Sequence, residues 1–254
     1  MTDRPHVALF VTCLVDLFRP AVAFAAITLL ERAGCRVSVP EAQTCCGQPP
    51  YNSGDREGAA AILRGLVATF EPYDAVVVPS GSCAGMIRQH APLVLRDDPE
   101  WGPRAEALAT RVFELTQYLA RFGVDAAQGV TPPDCTVCYH DSCSSLRDMG
   151  VRDEPRRLLQ ASGVNVAEMA EPDECCGFGG LFAVKYPHIS EAMADSRIAN
   201  VTATGARVLT GADLGCLLHL AGRLRRKGEE VEVRHVAEIL AGDLAAPAIG
   251  EGGK

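Results

Sequence analysis

Two Cys-Cys-Gly triplets, Cys45-Cys46-Gly47 and Cys175-Cys176-Gly177, each follow an upstream cysteine at the same distance. Cys13 lies 32 residues before Cys45, and Cys143 lies 32 residues before Cys175. One more cysteine follows each triplet: Cys83, 37 residues after Cys46, and Cys216, 40 residues after Cys176. The chain therefore carries two copies of a four-thiol constellation, which takes eight of its eleven cysteines. Four convergent thiolates hold an iron–sulfur cluster or close a zinc site.

Adjacent thiols favour the first of these. Consecutive Cα atoms stand ~3.8 Å apart and their side chains diverge in an extended or turn backbone. A diverging pair suits a polynuclear core better than the tetrahedral angles of one small zinc ion. Gly47 and Gly177 let the backbone turn sharply beside the inorganic core. Amide N–H groups just beyond can donate to cluster sulfurs and tune the potential. Up to two clusters per chain are expected, with Cys13, Cys45, Cys46 and Cys83 holding one and Cys143, Cys175, Cys176 and Cys216 the other; zinc is the alternative metal.

The remaining candidates are weaker. Cys35 reads as a small buried hydrophobe. Cys135-Thr136-Val137-Cys138 has redox or zinc spacing but no counterpart in the first half, and coincidence is the simpler reading. His140, just before Cys143, and His188, beyond the second triplet, are the best-placed imidazoles for acid–base work. Lys185 and Arg88 could meet a carboxylate, while His6 and His235 have lesser claims. Gly177 to Gly180 has the composition of an anion nest, although close packing beside a ligand explains its glycines equally well. Asp97, Asp98 and Glu100 read as a solvated loop. No G-x-G-x-x-G fingerprint opens a helix, so nothing argues for a nicotinamide or flavin.

The elements that must position these residues alternate. In the first half, strands are expected at Val7 to Thr12, Arg36 to Val39 and Ala75 to Val78. Helices are expected from Pro20 to Arg32, from a Ser53 or Asp55 cap to Phe70, and from Pro103 to Phe122. The second half repeats the order: strands at 136–139, 164–169 and 207–209, helices at 152–161, 189–202 and 213–226, and a closing helix at 236–240. Cysteines at strand ends fit an α/β sheet with ligands gathered beyond its carboxyl edges. The expectation is an α/β fold of two pseudo-symmetric βαβ-type halves, each a small mostly parallel sheet with flanking helices. Gly129, Pro132 and Pro133 mark a linker, giving domains at 1–128 and 129–243 and a flexible tail at 244–254.

With 254 residues, 48% hydrophobic and 22% charged, the composition is that of a packed globular protein. A net charge of −8 excludes nucleic acid and anionic membranes as main partners. No run reaches the ~18–20 apolar residues of a membrane span. An odd cysteine count with no signal-peptide pattern indicates a reducing, cytoplasmic setting.

The two triplets with their flanking cysteines resemble the cysteine-rich CCG domain of heterodisulfide reductase and of glycolate oxidase iron–sulfur proteins. Longer strings narrow the likeness: Val11-Thr12-Cys13-Leu14, Cys45-Cys46-Gly47-Gln48-Pro49, Gly81-Ser82-Cys83, Cys175-Cys176-Gly177-Phe178-Gly179-Gly180, and the run from Gly211 to Leu218. From about Val7 to Leu240 the chain resembles the lactate utilization protein A family. That resemblance implies an iron–sulfur subunit of an L-lactate-oxidising oxidoreductase, with two partner subunits, one a larger ferredoxin-like iron–sulfur protein. It implies [4Fe–4S] clusters. One departure stands out: where heterodisulfide reductase has C-x-x-C, this chain has Cys83-x-x-Met86 and Cys216-x-x-His219, leaving four thiols per half. Met86 and His219 are then possible soft or imidazole ligands. Two other functions remain open from the residues alone: a zinc-stabilised scaffold, and a thiol–disulfide oxidoreductase using the vicinal cysteines.

Overall fold

A computed structural model describes residues 4–123 and 135–251 of the chain; the expected domain boundary at 128/129 and most of the linker lie outside them. Each half builds one four-stranded, all-parallel sheet. The first contains β1 (His6–Leu9), β2 (Arg36–Ser38), β3 (Ala75–Val78) and β4 (Val112–Glu114), in the order β2-β1-β3-β4. The second contains β5 (Val137–His140), β6 (Val166–Ala167), β7 (Val208–Gly211) and β8 (Glu232–His235), in the order β6-β5-β7-β8. The central strands β3, β5 and β7 are buried at every position, as parallel strands covered by helices on both faces must be.

Local chemistry explains the element ends. Pro20 opens the helix Pro20–Arg32, where its missing N–H costs nothing. Asp55 caps the helix Arg56–Phe70 by accepting the Gly58 N–H at 2.9 Å. Ser80 and Ser142 cap the short helices Gly81–Gly85 and Cys143–Arg147. Strand ends run directly into these helices, so the thiols sit at the carboxyl edges of the sheets.

The structure corrects one expected element and adds others. The helix expected over 103–122 is broken into Trp101–Ala109 and Leu115–Phe122 by β4, which pairs with β3 through Val76–Val112 and Val77–Phe113. Val112 and Phe113 prefer a pleated, half-buried surface, and Glu114 restarts the helix by accepting from the Thr116 and Gln117 amides. The equivalent strand β8 ends at His235, whose ring caps the helix Val236–Ala241. Residues 244–251, where a flexible tail is expected, lie along the second half: Ile249 N donates to Val233 O at 2.8 Å, and Ala248 and Ile249 are buried.

The two halves exchange contacts reciprocally. Helix Leu115–Phe122, closing the first half, packs on Asp153–Ala161 of the second, and helix Val236–Ala241 packs on Pro20–Arg32 of the first. Arg19 reaches the fully buried Glu238 at 2.7 Å, and at the equivalent place Gln117 donates to the Met149 carbonyl at 3.1 Å. Among the described residues no helix is long and apolar enough to cross a membrane.

Candidate metal centres

In strand order 2-1-3-4 the connections from β1 and β3 leave in opposite directions, and the crevice between those strands is where ligands gather in open α/β sheets. Cys13 is the first residue of the helix after β1, and Cys83 is the third of the helix after β3. Cys45 and Cys46 lie beyond β2, where Gly47 turns the chain with φ 86° into helix Gln48–Ser53. The second half repeats each placement. Cys143 opens the helix after β5, Cys216 is the third residue of Leu214–Lys227 after β7, and Gly177 again has φ 86°.

The four thiols of each set touch in a chain. Cys13 meets Cys45, Cys45 meets Cys46, and Cys46 meets Cys83; Cys143, Cys175, Cys176 and Cys216 do likewise. These contacts polarise the sets. Hydrogen bonds from Cys13 and then Cys46 pull the Cys45 thiol down to about 2, and Cys143 and Cys176 do the same for Cys175. Cys13 and Cys143 are pushed up by the same bonds and then by burial, as are Cys46 and Cys176. A cation among the sulfurs would favour ionisation of the remaining thiols. Backbone amides already address them: Gly177 N donates to Cys175 Sγ at 3.4 Å and Phe178 N to Cys176 Sγ at 3.5 Å. The first two amides of the glycine-rich loop are thus directed at sulfur.

Close packing holds the second loop in place. A Cβ on Gly177 would stand 2.5 Å from Ser190 O, and a Cβ on Gly215 2.5 Å from the Phe178 ring. Thr12, ahead of Cys13, takes φ 69°, a region that non-glycine residues seldom enter, whereas its counterpart Ser142 is ordinary at −72°. The two sets also lie against each other. Helix Gly81–Gly85 packs on Cys143–Arg147, and Cys13–Phe18 packs on Leu214–Lys227. Between them, buried Asp213 accepts from Ser82 N at 3.0 Å and Ser80 Oγ at 3.4 Å, joining the loop of Cys83 to that of Cys216.

The other sequence candidates separate. His140, the last residue of β5, is 1% exposed, and one of its ring nitrogens lies within 4.8 Å of the Cys176 and Cys216 sulfurs. Burial and then the charge of Arg197 lower its pKa to about 3. Lys185 and His188 are exposed on the segment after the second triplet. Arg88 is spent on the Val112 carbonyl, His6 on Ser38 and Arg36, and His235 on its helix cap. Met86 is fully buried in the first core, and His219 bonds the Ser190 hydroxyl at 3.3 Å beside the Phe178 ring. Cys35 is buried, 3.4 Å from the Tyr118 hydroxyl. Buried Cys138 is pushed up to about 11 by burial, as for a core residue. Asp98, expected in a solvated loop, accepts from Arg64 and from the Trp101 amide.

Sequence reasoning passes over Arg197, which is fully buried and donates to His140 Nδ1, Glu171 O and Pro172 O. Its signal is present: an arginine within the apolar stripe Ala194, Ile198, Val201 of a buried helix face.

Eight thiols in two touching sets, amides aimed at sulfur and a glycine turn at each box fit a thiolate-bound metal or iron–sulfur group. Fold and site together define a protein with two cysteine-rich domains, and the family described as "CCG: Cysteine-rich domain" matches residues 7–88 and 137–221. Lactate utilization protein A of Shouchella clausii is 45% identical over 237 residues, 92% of this chain and 98% of that protein. Lactate utilization protein A 2 of Bacillus mycoides is 45% identical over 235 residues, with the same coverage. The chain belongs to the lactate utilization protein A family. A crystal structure of a hypothetical protein from Helicobacter pylori shares the fold, with a TM-score of 0.65 at 13% identity, over 99% of this chain and half of that one.

Proposed function

We propose that this protein is an iron–sulfur electron-transfer subunit in the oxidation of L-lactate to pyruvate. The observation that carries the reading is the pair of four-thiol sets, each brought together at the carboxyl edge of its sheet, in a chain whose relatives are named for lactate utilization. Cys13, Cys45, Cys46 and Cys83 hold one [4Fe–4S] cluster, and Cys143, Cys175, Cys176 and Cys216 hold the other. When bound, two such clusters supply two one-electron sites, matching the two electrons released with two protons as lactate becomes pyruvate. Packing between the helices that carry the two sets supports passage of charge from one set to the other.

The protein acts in the cytoplasm with two partner subunits, one a larger ferredoxin-like iron–sulfur protein. Substrate contacts on this subunit fall to exposed Lys185 and His188 rather than to buried His140.

Metal and sulfide analysis of protein purified without oxygen tests the reading. The expected result is about eight irons and about eight acid-labile sulfides per chain, with broad absorbance near ~400 nm. Cys45→Ser and Cys175→Ser should each remove about half of that iron. Stoichiometric zinc without sulfide would replace it with a zinc-stabilised scaffold. Metal-free protein that turns over a disulfide would replace it with a thiol–disulfide enzyme.

A further inference from the structure

The two thiol sets match in their cysteines but not in what lies behind them. In the second half, His140 Nδ1 accepts a hydrogen bond from Arg197 Nε at 3.1 Å. A neutral imidazole whose Nδ1 accepts carries its proton on Nε2. That Nε2 is buried and has no hydrogen-bond partner in the protein, while one of the ring nitrogens lies within 4.8 Å of the Cys176 and Cys216 sulfurs. A buried N–H without an acceptor is costly, and a cluster held by Cys176 and Cys216 would bring sulfur acceptors to it.

Arg197 poses the same question with a full charge. It is 0% exposed, and its two other hydrogen bonds, at 2.6 and 2.5 Å, go to the neutral carbonyls of Glu171 and Pro172. Among the described residues no carboxylate forms an ion pair with it. Nearby Asp141 is committed to Arg156 at 2.7 Å, and Glu174 accepts from Ser196. An unpaired buried cation is among the most expensive arrangements in a protein. Asp141 and then Glu174 favour its charge from a distance, followed by the sulfurs of Cys138 and Cys176. With both carboxylates engaged elsewhere, a cluster held beside His140 would add the negative charge that Arg197 lacks.

The first half has none of this. Phe10 stands where His140 does, fully buried and in tilted ring contact with Phe70 at 5.4 Å. Buried Leu66 and Val67 occupy the helix stretch that corresponds to Arg197. Asp213 bonds the loop of Cys83, but its charge bears on Cys143 and Cys216 of the second set and opposes Arg197 there, while burial pushes its own carboxyl up toward the neutral form.

The geometry points to a cationic relay, Arg197 to His140 to sulfur, that would make a cluster held by the second thiol set the more readily reduced of the two. A hydrogen bond and a positive charge at cluster sulfur stabilise the electron-rich state, which raises the potential. His140 is a donor here and not a metal ligand, because ligation through Nε2 would require removing the proton that the Arg197 bond places there. This inference rests on the iron–sulfur reading above.

The experiment is a stepwise reductive titration of the anaerobically purified protein, followed by EPR after its iron and sulfide have been measured. The wild type should show two separate waves, and Cys45→Ser should retain the higher one. His140→Phe, which installs the first-half residue, should move the higher wave toward the lower with iron content unchanged. Arg197→Met should shift the same wave in the same direction, and His140→Gln, which keeps an N–H, should restore part of the shift. An exchangeable proton coupled to the higher-potential signal should vanish in His140→Phe. Coincident waves, an unmoved potential in Arg197→Met, or retention of the lower wave in Cys45→Ser would overturn the relay. Strong nitrogen coupling would overturn it in favour of ligation. Should His140→Phe lose its second cluster, Arg197→Met alone decides. Protein with neither iron nor sulfide fails at the metal analysis, which separates failure of the cluster reading from failure of the relay.

Discussion

Replacing the glycine of each Cys-Cys-Gly box by alanine should have unequal consequences, although both glycines have φ 86°. The left-handed conformation costs an L-residue about 1 kcal/mol at either position. At Gly47 the added methyl meets Ile62 Cγ2 at 3.5 Å and Ala59 O at 3.7 Å, ordinary contacts with room to spare. At Gly177 it would stand 2.5 Å from Ser190 O and 2.9 Å from Met193 Cβ. The first of these is backbone of the helix Pro187–Ala203 and cannot rotate away, and Ser190 Oγ also bonds Gly177 O at 2.7 Å. Overpacking of that kind adds about 2 kcal/mol. With a urea slope of about 3 kcal/mol per M at this size, Gly47→Ala should lower the midpoint by ~0.3 M and Gly177→Ala by ~1 M. Unfolding followed by circular dichroism and by Trp101 fluorescence, with iron retention measured in parallel, provides the assay. Equal losses, or a greater loss at Gly47, would refute the claim that the second loop is wedged against its helix.

Other expectations follow from buried charge and from the unused thiols. Glu114 is raised from 4.5 to about 7, burial outweighing its hydrogen bonds, so its contribution to stability is full below about 4.5 and is lost as pH rises toward 7. That loss is up to ~3 kcal/mol, and Glu114→Gln should flatten it in urea midpoints taken from pH 4 to 8. His235, lowered from 6.5 to about 4 by burial, acts oppositely: its contribution is present above 6.5 and lost as pH falls toward 4, and His235→Asn should flatten that arm. Arg19→Met strands the fully buried Glu238 carboxylate and should cost about 3 kcal/mol, measured by the same unfolding assay. Cys35→Ala and Cys138→Ala should leave iron content unchanged while lowering thermal stability, since both thiols belong to the core.

The thiol sets are legible in the sequence because covalent spacing survives folding: identical 32-residue arms put each cysteine at the same place in a repeated unit. The buried strands Ala75–Val78 and Val137–His140 stand out as apolar runs, and Asp55 as a cap. The fourth strand of each sheet does not. Val112–Glu114 is three residues long and flanked by good helix formers, so only pairing with β3 distinguishes it from a helical turn. His140 reads as part of a turn because its sequence neighbours are polar, yet its strand position is set by pairing with Gly211 across 71 residues. Arg197 is hidden for a related reason. Its partners, His140, Glu171 and Pro172, come from two other segments, and no local pattern records them.

The reciprocal packing of the closing helices bears on how such a chain could arise. Leu115–Phe122 lies on the opposite half's Asp153–Ala161, and Val236–Ala241 on the opposite half's Pro20–Arg32, so each half lends the other the same surface. That is the isologous contact of a twofold homodimer, in which one patch serves both partners. A single ancestral half could have assembled in this way before its two copies were joined. Joining them freed each copy to diverge separately, which an identical-subunit dimer can never do. Phe10 facing one thiol set and His140 the other is the kind of difference that only the fused chain can encode.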